Sequence, residues 1–247
     1  MVEPRYRELL ASWSGVDALW VHSAGSALRS VIPADGCADL IVRVDACGRV
    51  AATVVLPTAV AHPAQVADAE TVVGVRLRPG YGMSAVARSA WLVDLATRAC
   101  RHGADPVALE AIVGDVLEGE EPPALIREFL AFVRETGGRV GLSECRSFAH
   151  AERSLQRAAR RWLGMSPKHF LRIARVRSAQ RAVCGNAHLS AVAADFGFSD
   201  QAHLTREFRA LLGRTPGEVR SVGKLQDPER PSATVRARPR RPTHAQP

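Results

Sequence analysis

Five side chains between residues 201 and 209 share one side of a helical period: Gln201, Ala202, Thr205, Arg206 and Arg209. Their chemistry suits a surface of bases and phosphates. A glutamine amide can pair with the edge of adenine, and a guanidinium with guanine or a phosphate. Threonine offers a hydroxyl to a base edge and a methyl to thymine. On the other side Leu204, Phe208 and Leu211 recur at i, i+4 and i+7, so the segment also has an apolar face to bury. Amphipathic helices of this kind are common in proteins that bind no polyanion, so the flanking sequence has to carry the distinction.

The flanks supply it. Val192, Ala193 and Phe196 form a shorter apolar-periodic segment, and Gly197 interrupts it. Ser199 and Asp200 are N-cap residue types placed just ahead of Gln201. Gly213 stops the second helix, and Thr215-Pro216 reads as an N-cap followed by proline at the first helical position. Helix, glycine turn, helix is the helix-turn-helix pattern. It has a second copy. Leu155-Gln156-Arg157 lies 49 residues before Leu204-Thr205-Arg206, and Leu163-Gly164-Met165-Ser166-Pro167 lies 49 before Leu212-Gly213-Arg214-Thr215-Pro216. Between the copies, Pro167 to Val183 reads as one continuous helix that sets the spacing of two reading heads.

Charge follows the same division. The 247 residues carry a net charge of +8, of which residues 1–138 contribute −5, residues 139–221 +9 and residues 222–247 +4. An acidic front and a basic back restrict contact with a polyanion to the back. No apolar run approaches the roughly 18 residues of a membrane span, and the N-terminal residues lack the order of a signal peptide. The five cysteines (37, 47, 100, 145 and 184) are scattered, with no C-x-x-C pair. They read as reduced thiols of a cytoplasmic, nucleoid-associated protein.

The front half reads as a small antiparallel β unit followed by helices. Pro4 to Trp13 is expected to form a short helix, and Trp20 to His22 a strand. Pro33-Ala34-Asp35-Gly36 is turn chemistry. Leu40 to Val44 and Val50 to Leu56 are strand-like runs, Pro57 to Ala69 reads as loop, and Thr71 to Arg78 as a third strand. Helical spacing follows over 84–101, 106–118 and 123–136, and Gly137-Gly138 marks a junction. The fold class is therefore α+β. Residues 1–136 form a β-containing sensing or dimerisation domain with a helical region at 84–136. Residues 139–221 form an all-α unit of two helix-turn-helix motifs joined by a linker helix. Residues 222–247 form a basic tail too poor in apolar residues to order.

S-L-Q-R at 154–157, LGMSPKHFLRIARVRSAQRA at 163–182 and VAADFGFSDQAHLTREFRALLGRTP at 192–216 resemble the DNA-binding module of AraC/XylS-type transcriptional regulators. P-A-D-G-C-A-D-L at 33–40 and V-G-V-R-L-R-P-G at 73–80 are similar, more loosely, to a small domain of unknown function that precedes such modules. The resemblance implies one helix of each motif in successive major-groove segments on one face of double-stranded DNA. It implies base contacts by Gln201, Ala202, Thr205 and Arg206 in the second motif and by Arg153, Gln156 and Arg157 in the first. Arg160, Arg161 and Arg209 fall at phosphate-contacting places, which position without specifying. His203 also matches the family pattern and, lying off the outward face, reads as structural rather than as a ligand. The first motif departs from the pattern: Ser143 and Glu144 stand 49 residues before Val192 and Ala193, the turn lacks glycine, and Ala159 replaces an expected phenylalanine, with Trp162 the nearest ring to refill the space.

The resemblance implies no catalytic residue, no metal and no cofactor. Candidate partners are DNA, a small-molecule effector or protein at residues 1–138, and RNA polymerase, with no membrane. A different reading makes the front half an enzyme delivered to DNA, for instance an alkyl-accepting repair protein using Cys37. The flanking Asp35 and Asp39 argue against a thiolate there. The carboxylates of Asp35, Asp39 and Asp45 suit a metal or acid–base site less well than ordinary turn hydrogen bonding. In a third reading Trp20, Arg43, Arg76 and Arg78 line an effector pocket in the β unit.

Overall fold

Alternating apolar residues in the front half pair into two antiparallel sheets in the computed structural model, which describes residues 5–9, 11–23, 27–81, 97–103, 105–118, 121–144, 148, 151–185 and 187–223. The strands are β1 (Arg5–Leu9), β2 (Val16–Ser23), β3 (Leu28–Ile32), β4 (Asp39–Val44), β5 (Val50–Val55), β6 (His62–Val66) and β7 (Thr71–Leu77). Five of them form one sheet in the order β1-β2-β7-β4-β5, and β3 pairs with β6 in a second. The central strand β7 is flanked on both sides, which explains its nearly continuous apolar run, Val72 to Val75 with Gly74.

Two of these strands correct the sequence reading. Residues 5–9 are a strand rather than a helix, held by pairing of Tyr6 with His22 and Glu8 with Trp20 on β2. Residues 62–66 are a strand inside the stretch expected to be loop, with Pro63 opposite Val31. A short polar segment has little intrinsic preference, so the partner strand decides its state. Pro63 is tolerated because β6 belongs to a two-stranded ribbon and is therefore an edge.

The first core lies between the five-stranded sheet and helix α1 (Pro106–Val116). Val16, Leu19, Leu40, Val42, Val73, Val75 and Leu77 face Leu109, Ile112 and Val113. Glu110 is buried on α1 and accepts the backbone N–H groups of Ser12 (2.5 Å) and Trp13 (2.7 Å), so its charge is matched by donors. Residues 97–102 are helical, the described part of the helix expected over 84–101; the rest of that expectation lies outside the described residues.

The second core gathers helix α2 (Ala124–Thr136), α3 (Glu152–Leu163), α4 (Pro167–Cys184), α5 (Leu189–Asp195), α6 (Gln201–Leu212) and α7 (Pro216–Gly223). Although α2 precedes Gly137-Gly138, its Ile126, Phe129 and Val133 are buried in this core with Leu155, Leu163, Val176, Leu204 and Phe208. Phe129 and Phe132 meet Phe148 edge-to-face at 6.0 and 5.6 Å, a favoured ring arrangement. The volume near the first motif is thus filled by Phe148 and the rings of α2, whereas Trp162 is only half-buried at its margin. The expected tail at 222–247 lies outside the described residues from 224 onward.

Candidate nucleic-acid interface

The 49-residue repeat of the sequence is a structural repeat. Helix α3 spans 152–163 and α6 spans 201–212, so their first and last residues keep the same offset. Each ends on a glycine in the left-handed conformation, Gly164 at φ 70° and Gly213 at φ 68°, a backbone state glycine adopts without a Cβ penalty. Each is followed by a helix whose first residue is proline, Pro167 on α4 and Pro216 on α7. Ser166 accepts the His169 N–H at 3.2 Å. Thr215 and Glu218 form a reciprocal capping box, with Thr215 N–H donating to Glu218 at 2.6 Å and Glu218 N–H to Thr215 at 3.2 Å.

The two motifs differ at their entry. Before α6, Asp200 accepts the His203 N–H at 2.6 Å, and the Asp200 carboxyl is held below its usual range chiefly by that backbone donor. His203 in turn accepts the Ser199 N–H at 3.2 Å and meets the Phe198 ring edge-to-face at 5.5 Å. These contacts tie the turn to the first turn of α6. Before α3 the N-cap is Ala151, which has no side chain to cap with, and residues 142–144 form a 3-10 turn where α5 stands in the second motif. The remainder of the first motif's leading segment lies largely outside the described residues.

Asp200→Ala lowers the melting temperature, and Asp200→Asn restores most of the loss because asparagine also caps. The folded carboxyl is depressed, so its contribution is present above the ordinary aspartate range near pH 4 and disappears as pH falls through the folded value. The wild-type advantage over the alanine variant therefore shrinks in melting curves taken below about pH 4.

The outward faces carry the candidate contact residues. Gln201, Ala202 and Arg206 are exposed, and Thr205 is half-buried with its hydroxyl donating to Gln201 O at 2.9 Å, which leaves its methyl available. On α3, Arg153, Gln156 and Arg157 are exposed, and the Gln156 amide donates to Glu152 at 3.1 Å. The arginines of the basic half sort into two groups. Arg172 makes a two-point pair with Glu207 at 3.0 and 2.9 Å, Arg175 donates to Gly138 O and Gly197 O, and Arg220 donates to Val183 O and Ala187 O. By contrast Arg153, Arg157, Arg160, Arg161, Arg206 and Arg209 are exposed and make no ion pair among the described residues. The tied group staples helices together. Arg181 on α4 and Arg214 beyond Gly213 are likewise exposed and make no ion pair among the described residues, but most of the untied group lies on α3 and α6.

Several charged residues of the front half are paired within it. Arg43 pairs with Glu70 at 3.0 Å, Arg76 with Asp39 at 3.1 Å and Asp35 at 3.3 Å, and Arg78 donates to Val16 O. The three arginines considered as pocket lining thus brace the sheet. Burial alone would lower the Arg76 guanidinium, but Asp39 and Asp35 outweigh it and keep the charge. Burial raises the Asp39 carboxyl against the pull of Arg76. Asp35 and Asp45 each accept the N–H two residues on, from Cys37 and Cys47, as turn residues do. No group of metal-ligating side chains occurs among the described residues, and no described helix is long and apolar enough to cross a membrane.

Residues 145–221 match the family model of a helix-turn-helix domain. The match spans 77 of the 247 residues and lies in the basic half, across both motifs. No curated protein matches the chain. Among solved structures, ToxT from Vibrio cholerae in its P21 crystal form is 11% identical, with a TM-score of 0.40, over 87% of this chain and 96% of that one. ToxT bound to (E)-4-(8-methylnaphthalen-1-yl)but-3-enoic acid is 10% identical at TM-score 0.42, over 90% of this chain and 98% of that one. A fatty-acid-bound ToxT is 10% identical at TM-score 0.40. At that similarity nothing about their ligands transfers.

Proposed function

We propose that this protein is a transcription regulator of the AraC type that recognises a specific DNA sequence with α3 and α6 in successive major-groove segments. The observation that carries this reading is the concentration of untied, exposed guanidiniums, six of them, on two helices that repeat at a fixed offset. Arg160, Arg161 and Arg209 supply a salt-dependent hold on phosphates. Gln201, Ala202, Thr205 and Arg206 on α6, and Arg153, Gln156 and Arg157 on α3, supply base readout. The uncapped start of α3 makes it the less rigid of the two heads. An effector or protein partner at the N-terminal domain biases the bound state, RNA polymerase is the partner at the promoter, and the site of action is cytoplasmic DNA.

Site selection from random duplexes gives the preferred sequence. On it, Arg206→Ala costs about 1–3 kcal/mol and relaxes preference at one position. Arg209→Ala weakens all sequences alike and reduces the salt slope by about 1. Unchanged binding by a folded Arg206→Ala variant removes α6 from readout. The reading as an alkyl-accepting enzyme is opposed by Cys37 itself. Burial pushes its thiol well above the usual range, and the adjacent Asp35 carboxylate adds to that, so the nucleophilic thiolate is suppressed.

A further inference from the structure

The C-terminal end of α6 is not left to solvent. The last carbonyls of a helix have no partner within it, and here two of them are met by the N-terminal domain. Ala34 N–H donates to Leu211 O at 2.8 Å, and Ala61 N–H donates to Ala210 O at 2.9 Å. Ala34 is itself buried in the second core, although it belongs to the β domain by sequence. Packing at the contact is close. A Cβ added at Gly36 would stand 2.6 Å from the Phe170 ring on α4, and one at Gly213 would stand 2.4 Å from Val31 on β3. A side-chain relay runs parallel to the backbone contacts: His169 on α4 bonds Ala59 O through Nε2 at 2.7 Å and Arg172 through Nδ1 at 3.2 Å, and Arg172 holds Glu207 on α6.

Asp35 sits at the centre of this contact. Its carboxylate accepts the Cys37 N–H at 2.9 Å, closing the turn that presents Ala34. It also lies 3.3 Å from Arg76 on the sheet and 3.9 Å from Arg177 on α4. We propose that the N-terminal domain is a working part of the second reading head: the Pro33–Cys37 turn and the Ala59–Ala61 segment cap α6, and Asp35 is the positioning residue that holds the cap. This rests on α6 reading DNA, as proposed above. The cap supports binding rather than blocking it, because it engages the last turn of α6 and leaves Gln201, Ala202 and Arg206 exposed. It gives the front half a route to α6 that needs no contact with DNA.

The test uses the full chain. Hydrogen exchange without DNA reads the cap alone. In Asp35→Ala the Ala34 and Ala61 amides exchange faster, while amides of the central strand β7 are unchanged because Arg76 keeps Asp39. Asp35→Asn, which can still accept the Cys37 N–H, restores part of the protection. On the selected duplex Asp35→Ala binds roughly five- to tenfold more weakly, the weight of one or two hydrogen bonds, and His169→Ala weakens binding in the same direction. Unchanged exchange at Ala34, or tighter binding by Asp35→Ala, overturns the proposal. If the wild type selects no sequence while the exchange result holds, the DNA reading fails and the cap stands.

Discussion

Phe208→Ala is expected to destabilise the protein by about 3–5 kcal/mol, the range for deleting a fully buried ring. Phe208 is completely buried on α6 between Leu204 and Leu211, in the core shared by α2 through α7. The lost contacts cannot be replaced locally, because interiors are close-packed and relax only in part. The position 49 residues earlier makes the control. Ala159 is equally buried on α3, in a core that also holds Phe148 and the rings of α2. Ala159→Phe therefore does not repair the repeat; it overpacks, at about 1–3 kcal/mol. Urea denaturation of the three proteins checks this. A Phe208→Ala cost below about 1 kcal/mol would show that the core collapses around the missing ring.

Gly138→Ala is expected to cost about 2–6 kcal/mol, combining about 1–3 for a left-handed non-glycine residue with about 1–3 for overpacking. Gly138 has φ 73°, and an added Cβ would stand 2.4 Å from Leu171 O and 2.8 Å from Arg175 N. Both are backbone atoms of α4, so neither can swing aside. Arg175 fastens the segment by donating to Gly138 O at 2.9 Å and, across the turn of the second motif, to Gly197 O at 3.2 Å. The neighbouring Gly137 has φ 60°, but its added Cβ would meet only the Ser178 side chain, at 2.8 Å from the hydroxyl. Gly137→Ala therefore costs less, about 1–2 kcal/mol. Equal costs for the two substitutions in thermal melts would contradict the close approach to α4.

The buried Arg76–Asp39–Asp35 group has a functional reading in the same terms. Asp35 and Asp39 flank Cys37, and in sequence alone this is a nucleophile with acidic neighbours or a set of metal-ligand types. Folded, Arg76 is held by both carboxylates, and Cys37 is a buried protonated thiol. The chemistry of the cluster is spent on joining the sheet to the turn that touches α4 and α6.

The residues themselves determined the two repeated helices. Leu204, Phe208 and Leu211 are a local period, Asp200 and Gly213 are local caps, and the 49-residue offset is arithmetic on the chain. Helix periodicity and capping act within one or two turns, so α6 and the linker helix were legible before any packing was known. The helix-turn-helix resemblance over the basic half followed from the same residues. Tertiary structure decided what depends on partners distant in sequence. Residues 5–9 and 62–66 became strands because β2 and β3 offered edges to pair with. Helix α2 joined the second core because Phe129 and Val133 found Phe148 and Leu155 there. The contact of Ala34 and Ala61 with the last turn of α6 spans some 150 residues or more of chain, and no local pattern encodes it, because backbone N–H groups of alanine carry no sequence signal. The chain by itself thus specified two repeated helices with polar outward faces, and the fold decided that residues far ahead of them meet the end of one.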